Sequence, residues 1–403
     1  MRNIVVTKLN QDPVEKQRFE IVERKGLGHP DYICDAVMDK VSILLSAEYL
    51  KRFNTILHHN ADKSLLVAGE AEYKFGGGII KKPMLFVFGD RATTSVENEE
   101  IPVEEIAIKA AKEWFRENMR FVDPEEHVIY QVELKPGSSC LVDIFKRKEQ
   151  NILGANDTSA AVGYAPLTKT ERAVYEVERL INSREFKKSF PESGEDVKVM
   201  GYRLDNELHL TIALAFVDKF VESEKDYFKK KEEITNEILS FVNEKYDFET
   251  VTLDLNTLDA PGRGVDGLYL TVLGTSADSG DSGQVGRGNR VNGIIPLNRP
   301  VSSEAAAGKN PVSHVGKIYN ILTHKIAESV YNRVSGLEEV YIWMLSQIGK
   351  PIDQPTVVAA QLVLEGGTKL NEVKSEVEDV VNYELDHIKE FCMKLAKGEY
   401  PVC

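Results

Sequence analysis

The chain of 403 residues contains 42% hydrophobic and 28% charged residues, proportions that are typical of folded globular proteins and exclude disordered or low-complexity classes. At roughly 100–200 residues per domain, this length predicts about two or three domains. Acidic residues outnumber basic ones by 64 to 50, and the resulting net charge of −14 disfavours non-specific binding to nucleic acid.

Membrane and secretory segments are not evident in the sequence. Apolar runs stay well short of the roughly 18–20 residues that a membrane-spanning helix needs, and the N-terminus lacks the apolar stretch of a secretory signal. The sequence therefore predicts a cytoplasmic protein without a membrane partner. The cysteines Cys34, Cys140, Cys392 and Cys403 are too widely spaced to suggest a disulfide framework or a structural zinc site.

Predicted helices and strands alternate in the first part of the chain. A helix is expected from Asp31 onward, because apolar residues recur there at helical spacing. A second helix is expected over 103–115, where apolar residues share one helical face. Short apolar runs bounded by glycine, proline or charged residues predict strands at 65–68, 84–88, 128–132 and 141–145.

The same alternation continues in the second part. A capping box that joins Thr168 and Glu171 predicts a helix start near Thr168. Residues 183–196 are polar and contain Pro191 and Gly194, which predicts a surface connection. Further strands are expected at 208–217, 268–273 and 357–364, and further helices at 222–246 and 315–334.

The first segment with chemical potential is residues 23–31, ERKGLGHPD, which leads into the first helix. Two glycines permit close backbone approach and a helix N-terminus offers N–H groups, so this is a candidate phosphate site. Asp31, Asp35 and Asp39 recur every fourth residue on one side of that helix. They either stabilise the dipole and form a solvated face, the interpretation favoured for Asp35 and Asp39, or carry a divalent cation beside phosphate. His29 alone is more often structural than catalytic.

The second segment, residues 275–290, combines acids, glycines and arginines with almost nothing apolar. Packing does not require this mixture, whereas bound polyphosphate needs close backbone approach, cations for its oxygens and carboxylate for its metal. A polyphosphate site is therefore favoured here. Lys309 follows on a turn of small residues that lacks the spacing of a Walker A loop. Residues 262–267 match GxGxxG, but the predicted strand after them argues against a dinucleotide fingerprint.

Weaker candidates lie in three polar loops. Asp157, in the 154–159 loop, either binds metal or forms an Asx-turn, and spacing favours the turn. His59 and Lys63 belong either to a site or to an ordinary strand-end loop. The third loop is either a turn between strands or a ligand contact, and its candidates are Gly137, Ser138 and Ser139. The sequence has no GxSxG, HExxH or Cys–His arrangement that would support a covalent or zinc mechanism.

Together these motifs resemble the S-adenosylmethionine synthetases in their order along the chain, namely GHPD at 28–31, GAND at 154–157, GDSG at 280–283, GR at 286–287 and GK at 308–309. The runs 286–298 and 304–320 resemble the archaeal branch, and the resemblance covers nearly the whole chain. It implies an enzyme that uses Mg²⁺ to join L-methionine to ATP. The methionine sulfur would attack C5′ of ATP, and the bound triphosphate would then be hydrolysed to phosphate and pyrophosphate.

The resemblance also implies roles for the matching residues. His29 would contact the ribose and triphosphate and assist the leaving group, and Arg287 and Lys309 would grip the polyphosphate. Asp31 and Asp281 would bind Mg²⁺. The candidates for binding methionine, adenosine or ATP are Glu70, Asp157, Arg290, Gly137, Ser138, Ser139, His59 and Lys63.

Three departures from the bacterial and eukaryotic pattern matter. Gly288 stands where those relatives carry a lysine, so Arg290 is a candidate for the missing charge. The glutamate that relatives associate with K⁺ has no counterpart near His59, which weakens the case for K⁺ dependence. Either His314 or Lys317 would be the next phosphate contact after Lys309.

For the fold, the resemblance implies an α+β protein of three similar β-α-β-β-α-β domains about a pseudo-threefold axis. Their sheets would pack in a homodimer, with active sites between the subunits. The expected domains are residues 1–20 with 130–260, residues 21–129, and residues 261–403. Two other functions suit the same fold: a Mg²⁺-dependent triphosphatase, which would not need methionine, and a non-catalytic nucleotide-binding protein, which would be expected to lose catalytic charges.

Overall fold

The structure, a computed structural model, describes residues 2–137 and 153–403. Its α-helices are α1 (Pro30–Phe53), α2 (Val103–Asn118), α3 (Lys169–Ile181), α4 (Arg184–Ser189), α5 (Glu224–Lys245), α6 (Val315–Arg333), α7 (Leu370–Asp386) and α8 (Ile388–Ala396). Its strands are β1 (Ile4–Lys8), β2 (Phe19–Lys25), β3 (His59–Val67), β4 (Glu70–Glu72), β5 (Ile79–Lys82), β6 (Met84–Ala92), β7 (Ser95–Val96), β8 (Glu99–Glu100), β9 (Val128–Lys135), β10 (Ala160–Ala165), β11 (Ser193–Leu204), β12 (Glu207–Val217), β13 (Thr250–Leu255), β14 (Leu270–Thr271), β15 (Gly283–Gln284), β16 (Ile295–Pro296), β17 (Leu337–Leu345) and β18 (Val357–Leu364).

Three larger sheets, each packed against helices, organise these elements. The sheet with strand order β15-β3-β6-β9 packs against α1 and α2. The sheet β13-β12-β11-β2-β16, with β14 beside β12, packs against α3 and α5. The sheet β1-β18-β17-β10 packs against α6 and α7. The mixed α+β class is therefore confirmed, while the division into three domains stays a prediction.

Most of the predicted elements are confirmed. The helices expected from Asp31, over 103–115, near Thr168, over 222–246 and over 315–334 correspond to α1, α2, α3, α5 and α6. The strands expected at 65–68, 84–88, 128–132, 208–217 and 357–364 correspond to β3, β6, β9, β12 and β18. The capping box of α3 is formed in both directions, since Glu171 N–H donates to Thr168 Oγ1 at 3.0 Å and Thr168 N–H donates to Glu171 Oε2 at 2.7 Å. The strand expected at 141–145 lies outside the described residues, as does Cys140.

The predicted surface connection at 183–196 is confirmed only in its first part, where Arg184, Glu185, Lys188 and Ser189 are exposed. The whole stretch forms α4 and the buried start of β11. Ser183 caps α4 by accepting a hydrogen bond from the Phe186 N–H group at 3.2 Å, and Lys187 Nζ donates to the Gly194 carbonyl at 2.7 Å. Because the polar groups of this stretch bond to one another and to the backbone, they can enter the interior.

The predicted strand at 268–273 is shorter than expected. Only Leu270–Thr271 pairs with the sheet, beside β12. The N–H groups of Val272 and Leu273 instead donate to Asp278 Oδ2, at 2.7 and 2.9 Å. This carboxylate takes the place of a neighbouring strand and ends the pairing.

Two hydrophobic cores fill the described part of the chain, and a buried arginine lies between them. The Arg299 side chain is 1% exposed. Its guanidinium pairs with Glu171 at 3.0 Å, forms a short ion pair with Glu339, and donates to Tyr341 Oη at 3.0 Å. Since Glu171 begins α3 on one core and Glu339 lies in β17 on the other, Arg299 links the two.

Some apolar side chains of the sheets are exposed to solvent. They occur on strands of all three larger sheets, at Val5, Trp343, Phe19, Tyr202, Leu65 and Ile129. Among the helices that the structure describes, none has both the length and the apolar character needed to cross a bilayer.

Candidate functional site

His29 occupies the N-cap of α1, where the chain turns from β2 into the helix. Its Nδ1 accepts a hydrogen bond from the Asp31 N–H group at 3.2 Å, so the proton of a neutral ring lies on Nε2. Burial, reinforced by the Lys25 ammonium, lowers the pKa of His29 to about 4. The ring is thus a neutral N–H donor at neutral pH. Gly28 permits this turn, since a Cβ there would lie 2.4 Å from the Asp196 nitrogen.

The Asp31 carboxylate ties the start of α1 to the 275–290 segment. Its Oδ2 accepts a hydrogen bond from Lys25 Nζ at 2.9 Å, and its Oδ1 accepts one from the Gln284 N–H group at 2.9 Å. Lys25 Nζ also donates to the Arg287 carbonyl at 2.5 Å. The Arg287 side chain is 69% exposed, with its Nε 3.9 Å from Asp31 Oδ2. The backbone of Arg287 is therefore held while its guanidinium remains accessible to a ligand.

Asp35 and Asp39 contradict the predicted solvated face, because both are buried. Asp35 accepts hydrogen bonds from the N–H groups of Gly286 at 2.7 Å and Gly288 at 3.1 Å. Asp39 pairs with Lys317 Nζ at 2.6 Å. Burial raises the pKa of Asp35 to about 7, against the opposing effect of the two glycine N–H groups. The acidic side of α1 faces the interior because the groups that bind Asp35 and Asp39 belong to the last third of the chain, which packs against this side of the helix.

A second group of charges surrounds the Asp62 carboxylate on β3. Lys309 Nζ forms a short ion pair with Asp62 and lies 3.1 Å from Glu304 Oε2. Lys63 Nζ pairs with the other Asp62 oxygen at 2.6 Å. Burial opposes ionisation of Asp62, but the two ammonium groups outweigh it and lower its pKa to about 2. Lys309 is 2% exposed, so its ammonium group contacts the Asp62 and Glu304 carboxylates in the interior.

His314 caps α6 in the way that His29 caps α1. Its Nδ1 accepts a hydrogen bond from the Gly316 N–H group at 3.1 Å. Burial, reinforced by Lys309, lowers the pKa of His314 to about 3. A Cβ at Gly316 would lie 2.9 Å from Lys309 Cε and 3.1 Å from His314 Cε1, so the two side chains are close neighbours. His314 is thus a second neutral N–H donor close to a lysine, as His29 is close to Lys25.

Two residues considered as ligand contacts are enclosed instead. The ring of His59 is fully buried, with Nε2 2.8 Å from Ser42 Oγ and Nδ1 3.2 Å from Asn310 Nδ2. Burial, reinforced by Lys317, lowers the pKa of His59 to about 3. Lys317 is itself 1% exposed and bound to Asp39. Neither side chain has a face open to a ligand in this structure.

The two groups lie along a single strand. Asp62 is near the start of β3, and Leu65 and Leu66 further along β3 pair with β15. The Gln284 N–H group of β15 holds Asp31. Three positions along a strand span roughly 10 Å. The structure thus brings His29, Asp31 and Arg287 to one end of this line, and Lys63, Lys309 and His314 to the other.

The remaining predicted residues are more dispersed. Asp281 is exposed just before β15, and Glu70 is exposed at the start of β4 with Lys82 Nζ 3.2 Å away. Asp157 is half-buried, and its carbonyl accepts a hydrogen bond from Ser346 Oγ at 2.9 Å. Gly137 is half-buried after β9, while Ser138 and Ser139 lie outside the described residues. Over residues 2–137 and 153–403, no cluster of three or more His, Cys, Asp or Glu side chains could hold a metal.

Sequence reasoning missed three residues of the site. Lys25 ends the charged run before the first glycine, and its position beside a candidate phosphate site was a usable signal. Gln284 binds Asp31 through its backbone N–H group, which every residue except proline has. The type of residue at this position therefore gave no indication of the contact. Glu304 forms an ion pair with Lys309 of the same segment. The spacing of the two residues in the sequence does not predict this pair.

Comparisons with known proteins give a consistent result over the full length. A family model described as S-adenosylmethionine synthetase (AdoMet synthetase) matches residues 2–399. The probable S-adenosylmethionine synthase of Aquifex aeolicus is 46% identical over 404 residues, covering 100% of both chains. The S-adenosylmethionine synthase of Thermococcus onnurineus is 50% identical over 389 residues, covering 96% of this chain and 95% of that protein.

One solved structure is similar in fold. It is titled "Structure of an Unusual S-adenosylmethionine synthetase from Campylobacter jejuni" and matches with a TM-score of 0.61 at 14% sequence identity. The match covers 93% of this chain and 89% of that chain. At this identity the similarity supports a shared fold.

Proposed function

The chain belongs to the S-adenosylmethionine synthetase family, and from that premise we propose that its two charged groups along β3 bind the polyphosphate of ATP. The enzyme is a methionine adenosyltransferase that makes S-adenosylmethionine from L-methionine and ATP. The full-length match to synthases at 44–50% identity carries this conclusion. The predicted resemblance to the archaeal-type branch is confirmed, and neither the triphosphatase nor the non-catalytic alternative has support.

The chemistry requires no enzyme nucleophile. The methionine sulfur is a neutral nucleophile, so the protein must align it with C5′ of ATP and stabilise charge on the departing triphosphate oxygen. His29 is suited to this, because its neutral ring carries a proton on Nε2 that can be shared in a hydrogen bond. The exposed guanidinium of Arg287 would bind triphosphate oxygens in its fork geometry.

The metal that this family requires is, in our proposal, Mg²⁺ held by Asp31 and Asp281. Mg²⁺ takes oxygen ligands and is usually bound by one or two carboxylates together with substrate phosphates, which fits a site with few acidic side chains. Asp281 is exposed, and Asp31 is already fixed by Lys25 and Gln284. When bound, the ion would supply positive charge to neutralise the triphosphate.

At the other end of β3 we assign the further phosphate contact to His314. His314 is a close neighbour of Lys309, and the proton of its neutral ring lies on Nε2, whereas Lys317 pairs with Asp39 of α1. Lys309 and Lys63 would exchange part of their contact with Asp62 for phosphate oxygens.

The remaining assignments concern substrates and assembly. We infer that Glu70 and Asp157 contribute to the methionine and adenosine sites, with Gly137, Ser138 and Ser139 as further ATP contacts. We infer a homodimer of three-domain subunits, since exposed apolar residues occur on all three larger sheets and a second copy would cover them.

Purified protein with L-methionine, ATP and Mg²⁺ is expected to form S-adenosylmethionine, measured by chromatography of the product. His29→Ala and Asp31→Asn are each expected to lower the rate at least about tenfold, equivalent to about 1.4 kcal/mol of barrier. Circular dichroism should report a folded protein in both cases. Folded wild-type protein that yields no product would refute the function, and near-normal rates in both variants would refute the roles.

The assignment of His314 over Lys317 has a separate test. His314→Ala is expected to raise the KM for ATP about tenfold and to lower the unfolding free energy by only about 1 kcal/mol, the usual cost of a lost N-cap contact. Lys317→Met is expected to leave the KM for ATP unchanged and to lower the unfolding free energy by about 3–5 kcal/mol, because it strands the buried Asp39 carboxylate. Steady-state kinetics and thermal unfolding of the same samples separate the two. The reverse pattern would assign the phosphate contact to Lys317.

A further inference from the structure

Two side chains, those of Asp35 and Arg290, hold the backbone of the 286–290 loop. Asp35 is 3% exposed and accepts hydrogen bonds from the N–H groups of Gly286 and Gly288, at 2.7 and 3.1 Å. Arg290 Nη2 donates to the carbonyl groups of the same two glycines, at 3.1 and 2.9 Å. Each glycine therefore has its N–H bound by Asp35 and its C=O bound by Arg290, and Arg290 is engaged by its own loop.

The loop conformation depends on glycine at both positions. Gly286 has a φ of +85°, a region that residues with a side chain rarely adopt. A Cβ at Gly288 would lie 2.1 Å from Asp35 Oδ2, so no side chain at that position is compatible with the Asp35 contact. Gly288 is thus linked to the buried carboxylate of Asp35 behind it.

Arg287 lies between these two fixed glycines. Its own carbonyl accepts a hydrogen bond from Lys25 Nζ at 2.5 Å. The backbone is therefore restrained before, at and after Arg287, whereas the side chain is 69% exposed. Because the backbone at Arg287 is already ordered before a ligand binds, part of the entropy cost of binding is removed.

We propose that Asp35 and Arg290 are positioning residues that fix the 286–290 loop so that Arg287 meets the triphosphate chain. This inference rests on the proposed role of Arg287 as a triphosphate ligand. Asp35 acts through the loop backbone and does not touch substrate. Its partners are the two residues that flank Arg287, which distinguishes it from a carboxylate that stabilises the fold in general.

The test is a double-mutant cycle on binding of inorganic triphosphate in the presence of Mg²⁺, measured by calorimetry. Asp35→Asn keeps the side-chain shape but cannot accept from both glycine N–H groups, and is expected to weaken binding about tenfold. The same loss is not expected in the Arg287→Ala background, where the double variant should match Arg287→Ala within about twofold. A further tenfold loss in the double variant would overturn the proposal.

Asp39→Asn is the matched control. Asp39 is also a buried carboxylate of α1, one turn further on, but it pairs with Lys317. Its effect and that of Arg287→Ala should multiply, because Asp39 has no contact with the loop. Non-additivity as strong as that of Asp35→Asn would indicate a general effect of disturbing α1 and would overturn the proposal.

A second measurement does not depend on the function. Hydrogen exchange of residues 284–291, followed by mass spectrometry on the full chain, should be faster in Asp35→Asn and in Arg290→Met than in the wild type. Unchanged exchange in both variants would refute the positioning role even if triphosphate binds. Wild-type protein that neither binds Mg²⁺-triphosphate nor forms product would refute the proposed function, while the exchange result would still decide how the loop is held.

Discussion

Arg287→Ala is expected to lower the rate of S-adenosylmethionine formation by roughly 10²–10³-fold, the loss typical of removing one group that stabilises developing charge. The guanidinium is 69% exposed and its nearest acidic atom, Asp31 Oδ2, is 3.9 Å from Nε, so little of the folded structure depends on it. The unfolding midpoint should therefore stay close to that of the wild type. Single-turnover product formation and thermal unfolding measure the two quantities.

Arg287→Lys provides the graded control for this prediction. Lysine keeps the charge but not the planar fork that can bind two oxygens together, so an intermediate loss of activity is expected. An exposed arginine remote from the loop, Arg18, is the matched control, and Arg18→Ala should leave both rate and midpoint unchanged. Near-normal activity in Arg287→Ala, or a loss explained by unfolding, would contradict the assigned role.

The largest expected loss of stability follows from Arg299→Met. Removing this side chain leaves Glu171 and Glu339 as buried carboxylates without their cation. Breaking a buried ion pair by removing one partner typically costs about 3–5 kcal/mol of unfolding free energy. Denaturant-induced unfolding monitored by circular dichroism and tryptophan fluorescence should show this decrease.

A compensating substitution sharpens the Arg299 prediction. Glu339→Gln in the Arg299→Met background removes one of the stranded charges, so part of the lost stability should return. Arg18→Met, at an exposed ion pair with Asp205, should leave the unfolding midpoint unchanged. A loss below about 1 kcal/mol in Arg299→Met would mean that the charges are not buried together as described.

The elements that sequence analysis predicted correctly are those with local signals. The capping box at Thr168 and the helical period after Asp31 both depend on neighbouring residues, and both helices are present. The burial of Asp35 and Asp39 could not be predicted in this way. A period of four residues places them on one side of α1, but the Gly286 N–H and the Lys317 ammonium that satisfy them come from distant segments.

The same distinction between local signals and contacts across the fold applies to the candidate site. His29, Asp31 and Arg287 were identified from motifs and do lie together. The burial of His59 was not anticipated, because its partners Ser42 and Asn310 meet it only in the folded chain. Residues whose surroundings are set by their immediate neighbours can be interpreted from sequence, whereas charges paired across the fold cannot.

The pairing of β1 with β18 constrains the order in which the protein can assemble. Ile4 lies opposite Val358 in a parallel pair, so β1 can pair with β18 only after all the residues between the two strands have been synthesised. Until then β18 is absent and the backbone groups of β1 have no sheet to join. Contacts between such distant segments slow folding and leave unpaired edges exposed to aggregation. The sheet that supports α6 therefore closes only after β18 has been made, and deletion of β1 or of β18 deprives it of an edge strand or of the neighbour of that strand.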